Sequence, residues 1–164
     1  MRAMPSKPKT TRAANPQSQI RKIPADLFRA AVEQADIAIS ITDPRAIIEY
    51  VNPAFTRTTG FSVDDVQGQR HSVLASRTTP TRVYEALWRE IANKSPWRGR
   101  LVNRRKDGEQ YLADLTITPV LDEEGNISHY LGLHRDISAL HRLECAEPPT
   151  TAAPGHRLAD DFLF

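Results

Sequence analysis

The side chains best able to bind a metal or act as nucleophiles are five histidines, His71, His129, His134, His141 and His156, and one cysteine, Cys145. The histidines show no spacing that resembles a metal site. A lone thiol near the end of the chain forms neither an internal disulfide nor a thiolate cluster. The patterns GxGxxG, HExxH and GxSxG and a Walker phosphate loop are all absent, so an autonomous enzyme is not expected. Redox chemistry would need a bound cofactor. His134 and Asp136 stand two apart, so on a strand they share one face and could pair. Asn103 shares its strand side with Leu101, and on the following strand Tyr111, Ala113, Leu115 and Ile117 share one side. If those sides face inward, an amide lies beside an apolar pocket and must be satisfied by neighbouring backbone or by a planar heteroaromatic ligand. Ala113 leaves volume there that a larger residue would fill.

These residues must be held by a sheet. Leu27, Phe28, Ala31, Val32 and Ala35 form the stripe of a short helix that needs a partner surface. Ile37 to Thr42 alternates as a strand, Asp43 to Arg45 makes a turn, and Ile47 to Val51 returns antiparallel. Short helical pieces follow Asn52-Pro53, with Ser62 and Asp65 spaced as a helix cap. Thr79-Pro80 is expected to open the strongest helix, the threonine capping it, with Val83, Leu87 and Ile91 toward the sheet and Tyr84 and Trp88 on an adjacent strip. Three strands are expected at Trp97 to Arg105, Glu109 to Val120 and Ser128 to Ser138, joined at Asp107-Gly108 and Asp122 to Asn126. The order implies an α+β domain, a five-stranded antiparallel sheet with flanking helices. Ile137, Leu140 and Leu143 begin a last apolar helical stripe, which Pro148-Pro149 stops.

The chain has 164 residues, enough for one domain with tails. Its 12 prolines and its charge distribution divide it. Residues 1–24 carry six basic side chains and no acid, whereas the remaining 140 carry 16 basic and 20 acidic ones. We expect a disordered basic leader over 1–24, a folded domain over 25–141, and a short helical extension with a flexible tail over 142–164. No apolar run approaches the roughly 20 residues that cross a bilayer. The leader lacks the apolar core of a secretion signal, and no aromatic or amphipathic element accompanies its charges. A cytoplasmic protein without direct nucleic-acid or membrane contact is expected.

From about Phe28 to Leu143 the sequence resembles a PAS sensory domain and, within that class, the flavin-binding N-terminal domains of the NifL family. The matching phrases are AVEQADIAISITD, YVNPAFTRTTGFSVDDVQG, TTPTRVYEALWREIA, PWRGRLVNRRKDGEQYLADLTITPV and YLGLHRDISALHRLE. The resemblance implies a PAS fold, bound FAD, sensing of redox state or oxygen with dioxygen as the oxidant, and dimerisation. It also implies relay to a regulatory partner or attached output module in the control of nitrogen fixation. His71 stands where the related light-sensing LOV domains carry their reactive cysteine, so no flavin–thiol adduct can form there; NifL looks to have glutamate at this place. Asn103 matches an asparagine that contacts the polar rim of the flavin, and Ala113 the place of a second one in LOV domains. His134 matches the LOV glutamine near flavin N5 and the histidine of the GxHRD phrase. Ser72 and Thr81 match the arginines that hold the FMN phosphate in LOV domains, which favours FAD, with Trp88 beside its adenine or dinucleotide portion. Ser40, Thr42 and Leu115 complete the implied pocket. The alternatives are a ligand-free PAS interaction module and a sensor of haem or another small ligand, with His71 or His134 as axial ligand.

Overall fold

The computed structural model describes residues 24–146; the leader before Pro24 and the tail from Glu147 onward lie outside the described residues. Helix α1 spans Ala25–Glu33 and has no buried residue; Leu27 and Phe28 are each 57% exposed. Its apolar stripe is present, but among the described residues nothing buries Leu27 and Phe28 at its start. Strand β1, Ala38–Thr42, turns at Asp43, whose Oδ1 accepts the backbone N–H of Arg45 and of Ile47 at 2.8 Å each, and returns as β2, Ile48–Val51. Asn52 then ties three elements together. Its Oδ1 accepts from the Ile39 and Phe55 backbone, and its Nδ2 donates to the carbonyls of Val32 and Ile37, so every polar group of this buried amide is used.

Helix α2, Pro53–Thr59, has proline in its first turn and ends at Gly60, whose φ of 74° a side chain would resist. Helix α3, Val63–Val66, carries the reciprocal cap in full: the Ser62 side chain accepts from Asp65 N–H, and the Asp65 carboxylate accepts from Ser62 N–H. The shorter aspartate therefore closes a box usually closed by glutamate. Lys106 also donates to that carboxylate at 2.6 Å; the ammonium and the serine together bring Asp65 down to about 2.

A 3-10 turn over His71–Leu74 leads to helix α4, Thr81–Ala92. Here one expectation fails. Thr79 does not cap α4, whose N-cap is Pro80 without a side-chain bond. Instead the Thr79 hydroxyl accepts from Val102 N–H at 2.9 Å and lies 3.4 Å from the Val102 carbonyl. The local Thr-Pro signal is overridden because the neighbouring strand edge offers both a donor and an acceptor.

Strands β3 (Trp97–Arg104), β4 (Gln110–Leu121) and β5 (Ile127–Asp136) follow, then helix α5, Ser138–Ala146. The five strands form one antiparallel sheet in the order β2-β1-β5-β4-β3. Two-residue alternation buries Trp97, Leu101 and Asn103 on β3, Tyr111, Ala113 and Leu115 on β4, and Tyr130, Gly132 and His134 on β5. Leu87 and Ile91 of α4 close over this face, forming one apolar cluster; Ile48, Val51, Phe55, Val66 and Leu74 form a second beneath the helical insert.

Candidate functional site

A cavity lies between the inner sheet face, α4 and the segment His71 to Ala75. Its volume is about 130 Å3. Leu87 and Ile91 form the helical wall, and Leu101, Leu115 and Ile117 the sheet wall. Polar side chains stand on two flanks. Asn103 comes from β3, whereas Ser40 and Thr42 come from β1, three strand spacings away, roughly 14 Å across the sheet. Both ends are buried, Asn103 at 3% exposure and Ser40 at 1%.

Asn103 Nδ2 donates to the Tyr111 hydroxyl at 3.4 Å, a long bond that leaves most of the amide's capacity unused. The Arg105 guanidinium lies 4.5 Å from the Tyr111 ring centre and bonds to the Thr58 carbonyl and the Asp136 carboxylate, fixing that corner. Tyr84 lines the cavity and carries a buried hydroxyl without a protein partner. Trp88, 45% exposed, stands at the wall with its ring edge-on to Tyr130 at 6.3 Å.

The β1 flank holds a three-residue cluster. Ser40 Oγ lies 2.9 Å from His134 Nε2 and 3.3 Å from His71 Nε2, and the two imidazoles stack 5.1 Å apart at 20°. Burial pushes His71 down to about 4, and His134 falls well below the usual imidazole value through burial and then the adjacent His71. Both rings are neutral near pH 7. His134 is 1% exposed, and its Nδ1 has no partner among the described residues.

Of the residues expected at a flavin, Ser40, Thr42, His71, Trp88, Asn103 and Leu115 line the cavity. Ala113 is fully buried opposite Leu101 but lies outside that lining. His134 likewise stands behind Ser40 and His71 and does not itself line the cavity. The His134–Asp136 contact that strand spacing allows does not form. Asp136 accepts from Ser138 N–H at 2.9 Å and from Arg105, whereas His134 turns to Ser40. Sequence reasoning also missed Gly132. A Cβ there would sit 2.6 Å from Ser40 Oγ and 2.9 Å from His134 Nε2, so only glycine lets those two side chains meet. Its place in the YLGLHRD phrase was the available signal.

The fold and its cavity can now be set beside known proteins. The PAS fold family profile matches residues 26–137, and the chain belongs to that family. It is 49% identical over 118 residues to a nitrogen fixation regulatory protein of Klebsiella oxytoca, covering 72% of this chain and 24% of that one. A bacterioopsin transcriptional activator of Halobacterium salinarum is 37% identical over 116 residues, covering 68% of this chain and 17% of that one. The crystal structure of a PAS domain from Colwellia psychrerythraea superposes with a TM-score of 0.66 at 22% identity, covering 70% of this chain and 97% of that one. The chain thus spans about a quarter of the length of the nitrogen-fixation relatives it matches. It is a PAS domain related to part of those regulatory proteins, and it lacks the reactive cysteine of LOV domains. Among the described residues there is no group of three or more His, Cys, Asp or Glu suited to a metal ion, and no helix long and apolar enough to cross a membrane.

Proposed function

We propose that this domain binds FAD with its ring system in the cavity and reports the redox state of that ring, set by oxygen, to a regulatory partner or output module. One observation carries the reading: an apolar slot bounded by polar side chains on opposite flanks of the sheet. A flat heteroaromatic ring with hydrogen-bonding edges fits this arrangement. The cavity fits the group on three further counts. Tyr84 supplies an unpartnered hydroxyl in the wall, Asn103 an under-used amide, and Gly132 the room beside Ser40 that a side chain would fill.

A bound flavin would supply two-electron redox chemistry with a proton gained at N5. The protein's part is to recognise that proton. Asn103 can hold the rim by donating and accepting at once, while Leu101, Leu115 and Ile117 exclude water from the ring face. Ser40 presents a hydroxyl that turns between donor and acceptor, and His134 holds it from behind. A mismatch at such a buried group costs about 1 to 3 kcal/mol, enough to bias a balanced pair of conformations. Ser72 lines the cavity and Thr81 opens α4, with no arginine at either place, which supports FAD over FMN. The change would leave through β5 to α5, where Leu140 and Leu143 are exposed for a dimer or partner contact.

Haem fits less well, since both histidine Nε2 atoms are gathered at Ser40. The test is a gentle purification followed by visible absorption, then acid extraction and chromatography of the pigment. A yellow protein releasing FAD supports the reading; a folded protein that is colourless and refuses added FAD and FMN refutes it.

A further inference from the structure

The loop before α4 runs along the free edge of the sheet and forms a pocket there. Val102 N–H donates to the Thr79 hydroxyl at 2.9 Å, Ser76 Oγ donates to the Val102 carbonyl at 2.8 Å, and Ala75 bridges to Asn103. These bonds stitch residues 75–79 to β3. Side chains alternate along a strand, so the exposed Arg104 turns to the opposite side of the sheet from the buried Asn103. Gln110 is its partner across the β3–β4 ladder and stands on the same outer side. Arg104, Gln110 and the loop residue Arg77 line the pocket together with Ala75 and Ser76. The stitched edge separates it from the main cavity, whose β3 residues are Leu101 and Asn103.

The charge in this pocket is one-sided. No carboxylate lines it, and among the described residues neither Arg77 nor Arg104 forms an ion pair. The acids of the adjoining hairpin are engaged elsewhere. Glu109 pairs with Arg105 at 2.9 Å, and the Asp107 carboxylate accepts the Glu109 N–H at 2.9 Å. Two guanidinium groups facing one space repel each other, and no protein acid in the lining offsets that repulsion. Arg77 also holds a φ of 62°, a left-handed backbone that glycine or asparagine adopts more readily. Neither arginine serves the core, since both are exposed. A phosphoryl group would answer both charges. Its oxygens accept the paired N–H donors of a guanidinium two at a time, and the Gln110 amide adds a further donor beside them.

We infer that the pocket at Arg77 and Arg104 binds a phosphoryl group, free or carried on a small molecule, at a site separate from the main cavity. The site does not rest on the flavin reading, because its residues and its opening lie on the other side of the sheet edge.

The test is titration of the 15N-labelled full chain with inorganic phosphate at pH 7.5, with sodium chloride at matched ionic strength as the reference. Saturable shifts are expected at the Arg77 and Arg104 Nε–H signals and at the Gln110 side-chain amide. Arg77→Asn, which suits the left-handed backbone, and Arg104→Gln should each weaken binding at least about tenfold. Arg98→Gln removes an exposed arginine from the same side of β3 outside the pocket and should leave the affinity unchanged. Adenosine 5′-monophosphate distinguishes the sources: binding at least as tight as phosphate assigns the site to phosphomonoesters, and weaker binding assigns it to the free anion. Shifts that do not saturate, that chloride reproduces, or that Arg98→Gln weakens as much as Arg104→Gln would overturn the inference. Displacement of phosphate by FAD would overturn the separate site.

Discussion

Asn103 and Gly132 constrain the cavity in different ways, one by what it offers and the other by what it omits. Replacing Asn103 by leucine keeps the volume and removes the amide, so flavin affinity should fall about tenfold while the sheet stays folded. Titration with FAD followed by absorbance decides it; unchanged affinity and spectrum would remove Asn103 from the rim. Gly132→Ala drives a methyl group between Ser40 and His134, and overpacking of this kind costs about 1 to 3 kcal/mol. Its urea midpoint should drop, and its flavin retention should drop with it. The same cluster sets a pH dependence. His71 is held near 4 when folded but titrates near 6.5 once released, and His134 is shifted in the same direction. The unfolded chain therefore binds more protons between those values, so stability is full above about pH 6.5 and declines as the pH falls toward 4. Asp65 and Asp136 titrate below this window and do not mimic it. Equal urea midpoints at pH 7 and pH 5 would contradict the neutral imidazole pair.

Among the elements, the segment before α4 is held to β3 by Thr79 rather than by a helix cap. Thr79→Ala should leave Val102 N–H without its partner and cost about 1 to 3 kcal/mol, with the helix itself intact by circular dichroism. A loss of helix signal without loss of tertiary stability would return Thr79 to a capping role. This is also where sequence reading met its limit. Strand phase placed Asn103, Tyr111 and Leu115 on one face, because side chains alternate whatever the tertiary context. The Ser62-Asp65 box was legible for the same reason, being closed within four residues. Thr79 was misread because Thr-Pro satisfies a local rule while the competing partner lies 23 residues away. The Ser40 cluster left no local trace. Its partners come from 31 and 94 residues along the chain: the β1–β5 pairing brings His134, and the Ile47–Arg70 bridge with the His71 N–H bond to the Ala46 carbonyl brings His71.

For the molecule as a whole, two apolar surfaces are left open at the ends of the domain, Leu27 and Phe28 on α1 and Leu140 and Leu143 on α5. Burying them between copies would explain why neither helix packs deeply on its own sheet. Leu27→Glu with Phe28→Glu should convert a dimer to a monomer in sedimentation velocity without bleaching the bound pigment; a monomeric parent protein would sink the dimer. The chain covers only about a quarter of its nitrogen-fixation relatives. The account stands or falls on the cavity's occupant. Visible absorption of the gently purified, folded protein, before and after dithionite and then air, tests it most directly. The account predicts flavin bands that bleach on reduction and return with oxygen, and FAD in the acid extract. A folded protein without visible absorption that takes up neither FAD nor FMN would contradict it.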